Sequence, residues 1–199
     1  MLDTQRILSF LISPSGDRVV FNVGTRVGST NAFSGVLHSN LIGAGGAAQV
    51  TDSADPLFGT NNYRFLADGS RVVYLFQPDA DAPIRLESAT VLGERTPLHM
   101  PLSGDPALVN YILSPDSAWV LYLLATGGSE FGLRTIPPTG GGSINHGTGR
   151  FGAFTPDSQR LLHFRTTDAA GHNDLISTQV FGGGMRNLSG LHGTGFVTD

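Results

Sequence analysis

One short pattern recurs four times along this chain, and it limits the fold more than any other feature. The copies are Phe10-Leu-Ile-Ser-Pro-Ser-Gly-Asp-Arg-Val-Val-Phe21, Phe65-Leu-Ala-Asp-Gly-Ser-Arg-Val-Val-Tyr74, Tyr111-Ile-Leu-Ser-Pro-Asp-Ser-Ala-Trp-Val-Leu-Tyr122 and Phe154-Thr-Pro-Asp-Ser-Gln-Arg-Leu-Leu-His163. With Gly16, Gly69, Ser117 and Ser158 as equivalent positions, the copies lie 53, 48 and 41 residues apart. In each, an apolar stretch runs into a Ser-Pro-Asp-Gly-like turn and a second apolar stretch leaves it. Proline presets φ at the first central turn position, and Asp or Ser suits the next. Glycine then supplies the left-handed residue of a three-residue hairpin with a bulge. Val-Val-Phe and Val-Leu-Tyr are β-branched and aromatic, as strands prefer.

A second, looser pattern follows each copy, over Ala32–Gly43, Ile84–Gly93, Glu130–Gly140 and Asp174–Gly182. Apolar and polar residues partly alternate there, as in a half-buried strand, and each stretch ends in glycine before a short fourth strand such as Ala47–Thr51 or Met185–Ser189. The unit is therefore strand, turn, strand, loop, strand, glycine turn, strand. Four units are expected near 5–52, 60–104, 108–147 and 149–190, with 191–199 as the first strand of a further one. No stretch between them keeps a helical period. Four-stranded units repeated at this spacing predict an all-β chain of β-propeller blades, four antiparallel sheets in tandem. A β-sandwich would not require the same turn after the same strand.

Composition agrees with this and removes several function classes. The 199 residues include 27 Gly and 11 Pro, which suits many tight turns and not helix interiors. Charged residues make up 14% and hydrophobic ones 40%, so the chain has the apolar content to bury a core. Net charge is −4 and all twelve basic residues are scattered arginines, which argues against nucleic acid as a partner. With no cysteine, disulfides, thiolate metal sites and a thiol nucleophile are excluded. No window is apolar for the roughly 18 residues of a membrane helix, so no membrane insertion by helices is expected. The first residues, Met1-Leu2-Asp3-Thr4-Gln5-Arg6, do not read as a signal peptide.

The repeated residues resemble the TolB-type, or WD-like, propeller repeat of bacterial proteins. Ser13-Pro14-Ser15-Gly16, Ser114-Pro115-Asp116-Ser117 and Thr155-Pro156-Asp157-Ser158 match its turn; Gly45-Gly46, Gly141-Gly142 and Gly183-Gly184 match its later turn, and Leu188-Ser189 its end. The second copy departs, with Ala67 before Asp68-Gly69 and Gly93-Glu94 in place of Gly-Gly; the third and fourth carry Ser where Gly is usual. Six to eight blades normally close a ring in that family. The resemblance therefore implies a partial propeller, with a small four-bladed ring as the alternative. An open arc leaves sheet faces unpaired and invites self-association. The resemblance also implies a bacterial cell-envelope protein, periplasmic or secreted.

No residue set is assigned a catalytic, cofactor-binding or metal role. The six histidines, 38, 99, 146, 163, 172 and 192, show no ligand spacing, and His163 aligns with Phe21, Tyr74 and Tyr122 as a packed strand residue. Asp79-Ala80-Asp81 has two carboxylates but not the rest of a calcium loop. Asp116 and Asp157 sit in the repeated turn, where accepting turn amides explains them. There is no Gly-x-Ser-x-Gly elbow, and no lysine follows Gly43–Gly46 or Gly140–Gly142 to make a phosphate loop. Trp119 stands where Arg18, Arg71 and Arg160 stand in the other copies and either anchors a partner or covers a neighbouring blade. The expected function is a non-enzymatic scaffold for protein or peptide binding, with loops Gly24–Asn31 and Phe76–Pro83 as the first candidate surfaces. The alternative is the substrate-gating propeller of a prolyl-oligopeptidase-type serine peptidase, inactive alone. A lyase on the same repeats would need clustered His and acidic residues.

Overall fold

The computed structural model describes residues 6–26, 33–51, 62–77, 81–102, 104–167 and 171–190. Among the described residues every regular element is a strand. In chain order these are β1 (Arg6–Ile12), β2 (Arg18–Arg26), β3 (Phe33–Leu41), β4 (Ala48–Gln49), β5 (Tyr63–Phe65), β6 (Arg71–Phe76), β7 (Arg85–Thr90) and β8 (Arg95–His99). They continue as β9 (Leu108–Leu113), β10 (Val120–Ala125), β11 (Phe131–Ile136), β12 (Ile144–Phe154), β13 (Arg160–Thr166), β14 (Asn173–Gln179) and β15 (Arg186–Asn187). The chain divides into two compact units, Met1–Ser103 and Gly104–Asp199.

The repeated turn is built the same way in all four copies. The amide of Gly16, Gly69, Ser117 or Ser158 donates to the carbonyl three residues back, at 2.8–2.9 Å. Each of these four residues has positive φ, between 59° and 75°. Ser117 and Ser158 are the non-glycine residues in that region among those described, so the geometry persists where the favoured glycine does not. Side chains reinforce it: the Ser13, Ser114 and Thr155 hydroxyls each accept the amide five residues on, at 3.0 Å.

In the first unit the turn joins β1 to β2 and β5 to β6, and two antiparallel four-stranded sheets result, ordered β1-β2-β3-β4 and β5-β6-β7-β8. Strand alternation gives each sheet two faces. The face of the first sheet that carries Val20, Leu37 and Val50 packs on the face of the second that carries Tyr63, Val72, Tyr74, Phe76 and Ala89. Burying each such aliphatic or aromatic side chain stabilises the unit by about 1.5–3 kcal/mol.

The second unit repeats this plan with one difference. The sequence reading separates its two sheets near residue 148, whereas β12 runs through that point. Its Ile144–Gly149 part pairs with β11 and its Arg150–Phe154 part with β13, giving one seven-stranded sheet ordered β15-β14-β13-β12-β11-β10-β9. Register shifts on both sides of the strand, between Gly132 and Arg134 and between Arg150 and Ala153, let it serve both neighbours. Leu121, Leu123 and Leu133 of the β9–β12 part cluster with Leu161, with Ile112, Phe131 and Phe154 packed against them.

A side-chain rung repeats across the second and third strands. Arg18 donates to Ser39 Oγ at 2.9 Å, Arg71 to Ser88 Oγ at 2.9 and 3.1 Å, and Arg160 to the Ser177 carbonyl at 3.2 Å and its Oγ at 2.5 Å. The third copy has Trp119 at the arginine position and Thr135 at the serine position.

Candidate binding surface

The structure separates the residues singled out from the sequence and gives most of them structural work. Asp157 accepts the Thr155 hydroxyl and the Gln159 amide, which hold its carboxyl below the usual carboxylate range. Partial burial works to raise Asp116, but the Ser114 hydroxyl and Ala118 amide outweigh it and the carboxyl is again held low. Gly43, Gly46, Gly140 and Gly141 have positive φ in turns between strands. Trp119 is half-buried and His172 exposed. Of the acidic pair, Asp81 is exposed and Asp79 lies outside the described residues, as do His192, the segment 191–199 and most of the loop Gly24–Asn31. The loop after β6 is described on both sides of 78–80, where Gln77 Nε2 donates to the Ala82 carbonyl at 2.8 Å. Among the described residues no three His, Asp or Glu side chains converge as metal ligands.

Two histidines missed as a pair lie buried in the second unit. The Thr135 hydroxyl donates its one proton to the Val180 carbonyl at 2.7 Å. It therefore accepts from His146 Nε2 at 2.8 Å, which makes His146 the neutral Nε2–H tautomer with Nδ1 facing the Thr178 hydroxyl at 3.3 Å. His163 is equally buried, and neither ring nitrogen has a hydrogen-bond partner among the described residues. Desolvation, then the nearby His146 and Arg165, push its pKa down to about 4, against a weaker upward pull from Glu130. The ring therefore packs as an apolar one, in the position that Phe21, Tyr74 and Tyr122 fill elsewhere.

Among the described residues, exposed apolar side chains gather on one face of the first sheet and one face of the last. On the first sheet, Ile7, Phe10 and Ile12 of β1 are 67%, 63% and 54% exposed. They share a face with half-buried Val19, Phe21, Val23, Val36 and His38, and the Phe21 and His38 rings stack at 5.6 Å. β1 is also the edge strand of its sheet among the described residues. The other edges with the same role are shorter or better covered: β5 has three residues, and β9 buries Leu108 and Tyr111. On the last sheet, Phe164 and Leu188 are 42% and 53% exposed beside half-buried Leu162 and Leu175. The alternation in the sequence locates both faces, but nothing in it distinguishes exposed Phe10 from its buried equivalent Tyr63.

Known structures of this architecture are propellers. The chain superposes on the β-propeller domain of the Trilobed protease from Pyrococcus furiosus with a TM-score of 0.60 at 8% identity, over 92% of this chain and 57% of that one. It is similar to a TolB-designated protein from Agrobacterium tumefaciens with a TM-score of 0.53 at 13% identity, over 94% of this chain and 62% of that one. The fold is that of a TolB-type β-propeller. The same propeller fold is shared with the acylaminoacyl peptidase of Pyrococcus horikoshii, at a TM-score of 0.59 and 8% identity, over 93% of this chain and 32% of that one. The chain thus spans less than two thirds of each of these propeller proteins, as a partial propeller does. No family model matches the sequence, and comparison with curated proteins gave no match.

Proposed function

We propose that this chain is a non-enzymatic propeller scaffold of the bacterial cell envelope that binds a protein or peptide through the apolar face and edge strand of its first sheet. The observation that carries this reading is β1: a seven-residue edge strand whose Ile7, Phe10 and Ile12 are exposed on one face and Leu11 on the other. Long apolar edges are ordinarily blunted by charge, proline or a cover, because they template pairing with another chain. An extended peptide laid along β1 gains main-chain hydrogen bonds from the edge and side-chain selectivity from alternate positions. The face beside it, Val19, Phe21, Val23 and His38, supplies apolar area for a larger partner. The envelope location rests on the resemblance of the repeat alone, and fractionation of cells expressing the gene tests it.

The binding claim is tested with a library of fluorescent extended peptides titrated by polarisation. Apolar, alternating peptides are expected to bind the chain intact, and F10D/I12D to abolish that binding. Equal binding by both proteins, or hydrolysis of the peptides by the chain, contradicts the reading.

A further inference from the structure

The repeat makes each sheet face equivalent to a face elsewhere in the chain, and the equivalences point to a partner. In the first unit the Val20, Leu37 and Val50 face packs on the next sheet's Tyr63, Val72 and Tyr74 face. The second unit uses the same relation: Leu121 and Leu133, the equivalents of Val20 and Leu37, pack on Leu161, the equivalent of Val72. One mode of packing is thus used twice, with a leading face received by a trailing one. Two faces have no such cover among the described residues. The first sheet exposes the receiving face, with Phe10 and Phe21 in the places of Tyr63 and Tyr74. The last sheet exposes the leading face, with Leu162, Leu175 and Leu188 in the places of Val20, Leu37 and Val50. The last match holds to the hydrogen bond: the Leu188 amide donates to the Leu175 carbonyl at 2.8 Å, as the Val50 amide does to the Leu37 carbonyl at 2.7 Å.

We infer that a second copy of this chain docks head to tail, the Leu162–Leu175–Leu188 face of one copy on the Phe10–Val19–Phe21 face of the other. The inference deepens the reading of the first sheet as a binding face, and rests on it, by naming a partner for that face. The occupant is argued from continuity: the packing mode that joins neighbouring sheets inside each unit has its two unmatched halves on the same molecule. Such a head-to-tail contact joins unlike faces of the two copies.

The test is light scattering on a sizing column with the full chain and two variants, F10D/I12D and F164D/L188D, each checked for a cooperative melt. The wild-type chain is expected to run at twice its monomer mass, each variant alone as a monomer, and the two mixed as a heterodimer, since each keeps the face the other lacks. Because the chain has no cysteine, F10C and F164C give a second readout free of folding damage. Mixed under mild oxidation, they are expected to form the hetero-disulfide in large excess over either homodimer. A wild-type chain that stays monomeric at high concentration, or a mixture that forms no heterodimer and no hetero-disulfide, overturns the inference. If that monomer still binds peptides through β1, the inference alone has failed; if it binds none, the reading of the face has failed with it.

Discussion

Ser117 and Ser158 hold left-handed backbone conformations that cost an L-residue about 1–2 kcal/mol relative to its preferred regions. They separate two effects that the repeat otherwise joins. The turn carbonyls, hydroxyls and carboxylates impose the conformation, and glycine merely makes it cheap. Ser117→Gly is expected to raise stability by about 0.5–1 kcal/mol in urea unfolding. Ser158→Gly gains less or loses, because the Ser158 hydroxyl accepts the Asp116 amide at 3.0 Å within the same unit. His163 gives a pH test at the same scale. Its pKa is about 4 in the folded chain against 6.5 ordinarily, so on acidification the unfolded chain takes up the proton first. The associated stability is complete above pH 6.5 and is lost as the pH falls toward 4, by about 3 kcal/mol in all. The gap between the urea midpoints at pH 7 and pH 4.5 is expected to be smaller for His163→Phe than for the wild-type chain, with buried His146 keeping part of it. At neutral pH the variant gains about 1 kcal/mol by removing two unpartnered buried nitrogens.

At the scale of elements, the strands flanking each repeated turn were legible because turn chemistry and strand propensity agree there. β12 was not. The sequence reading ends one unit at 147 and starts the next at 149, whereas the strand continues, and Gly149 and Gly152 are points of close approach within it. A Cβ on Gly149 would lie 2.7 Å from the Phe164 carbonyl oxygen on the neighbouring strand, with no flexible atom to yield. A Cβ on Gly152 meets only side-chain ends, Leu121 Cδ2 at 2.7 Å and Leu161 Cδ1 at 3.4 Å. Gly149→Ala is therefore expected to cost about 2–3 kcal/mol and Gly152→Ala clearly less, read from thermal melts. The arginine rungs show the same limit of local reading. Arg18, Arg71 and Arg160 align in the sequence, but their partners Ser39, Ser88 and Ser177 become recognisable only once the register places them diagonally across, opposite Val20, Val73 and Leu162.

For the whole molecule, the fold class follows from the repeat, while the candidate surface does not. Phe10 and Tyr63 are interchangeable by sequence; Tyr63 is buried against Val20 and Leu37 of the first sheet, while Phe10 is exposed. The polar residues that attract attention in the sequence, Asp116, Asp157, His146 and His163, serve turns and core. The proposed binding surface is apolar and sits on the first sheet. Hydrogen exchange read by mass spectrometry tests this account most directly, because amide opening reports cover and pairing strand by strand. In dilute chain, β1 is expected to exchange fast while β6, β10 and β13 stay protected, and a peptide selected for binding is expected to slow β1 and β2 selectively. Protection of β1 equal to that of β6 in the dilute chain, or slowing confined to other strands on binding, would contradict it.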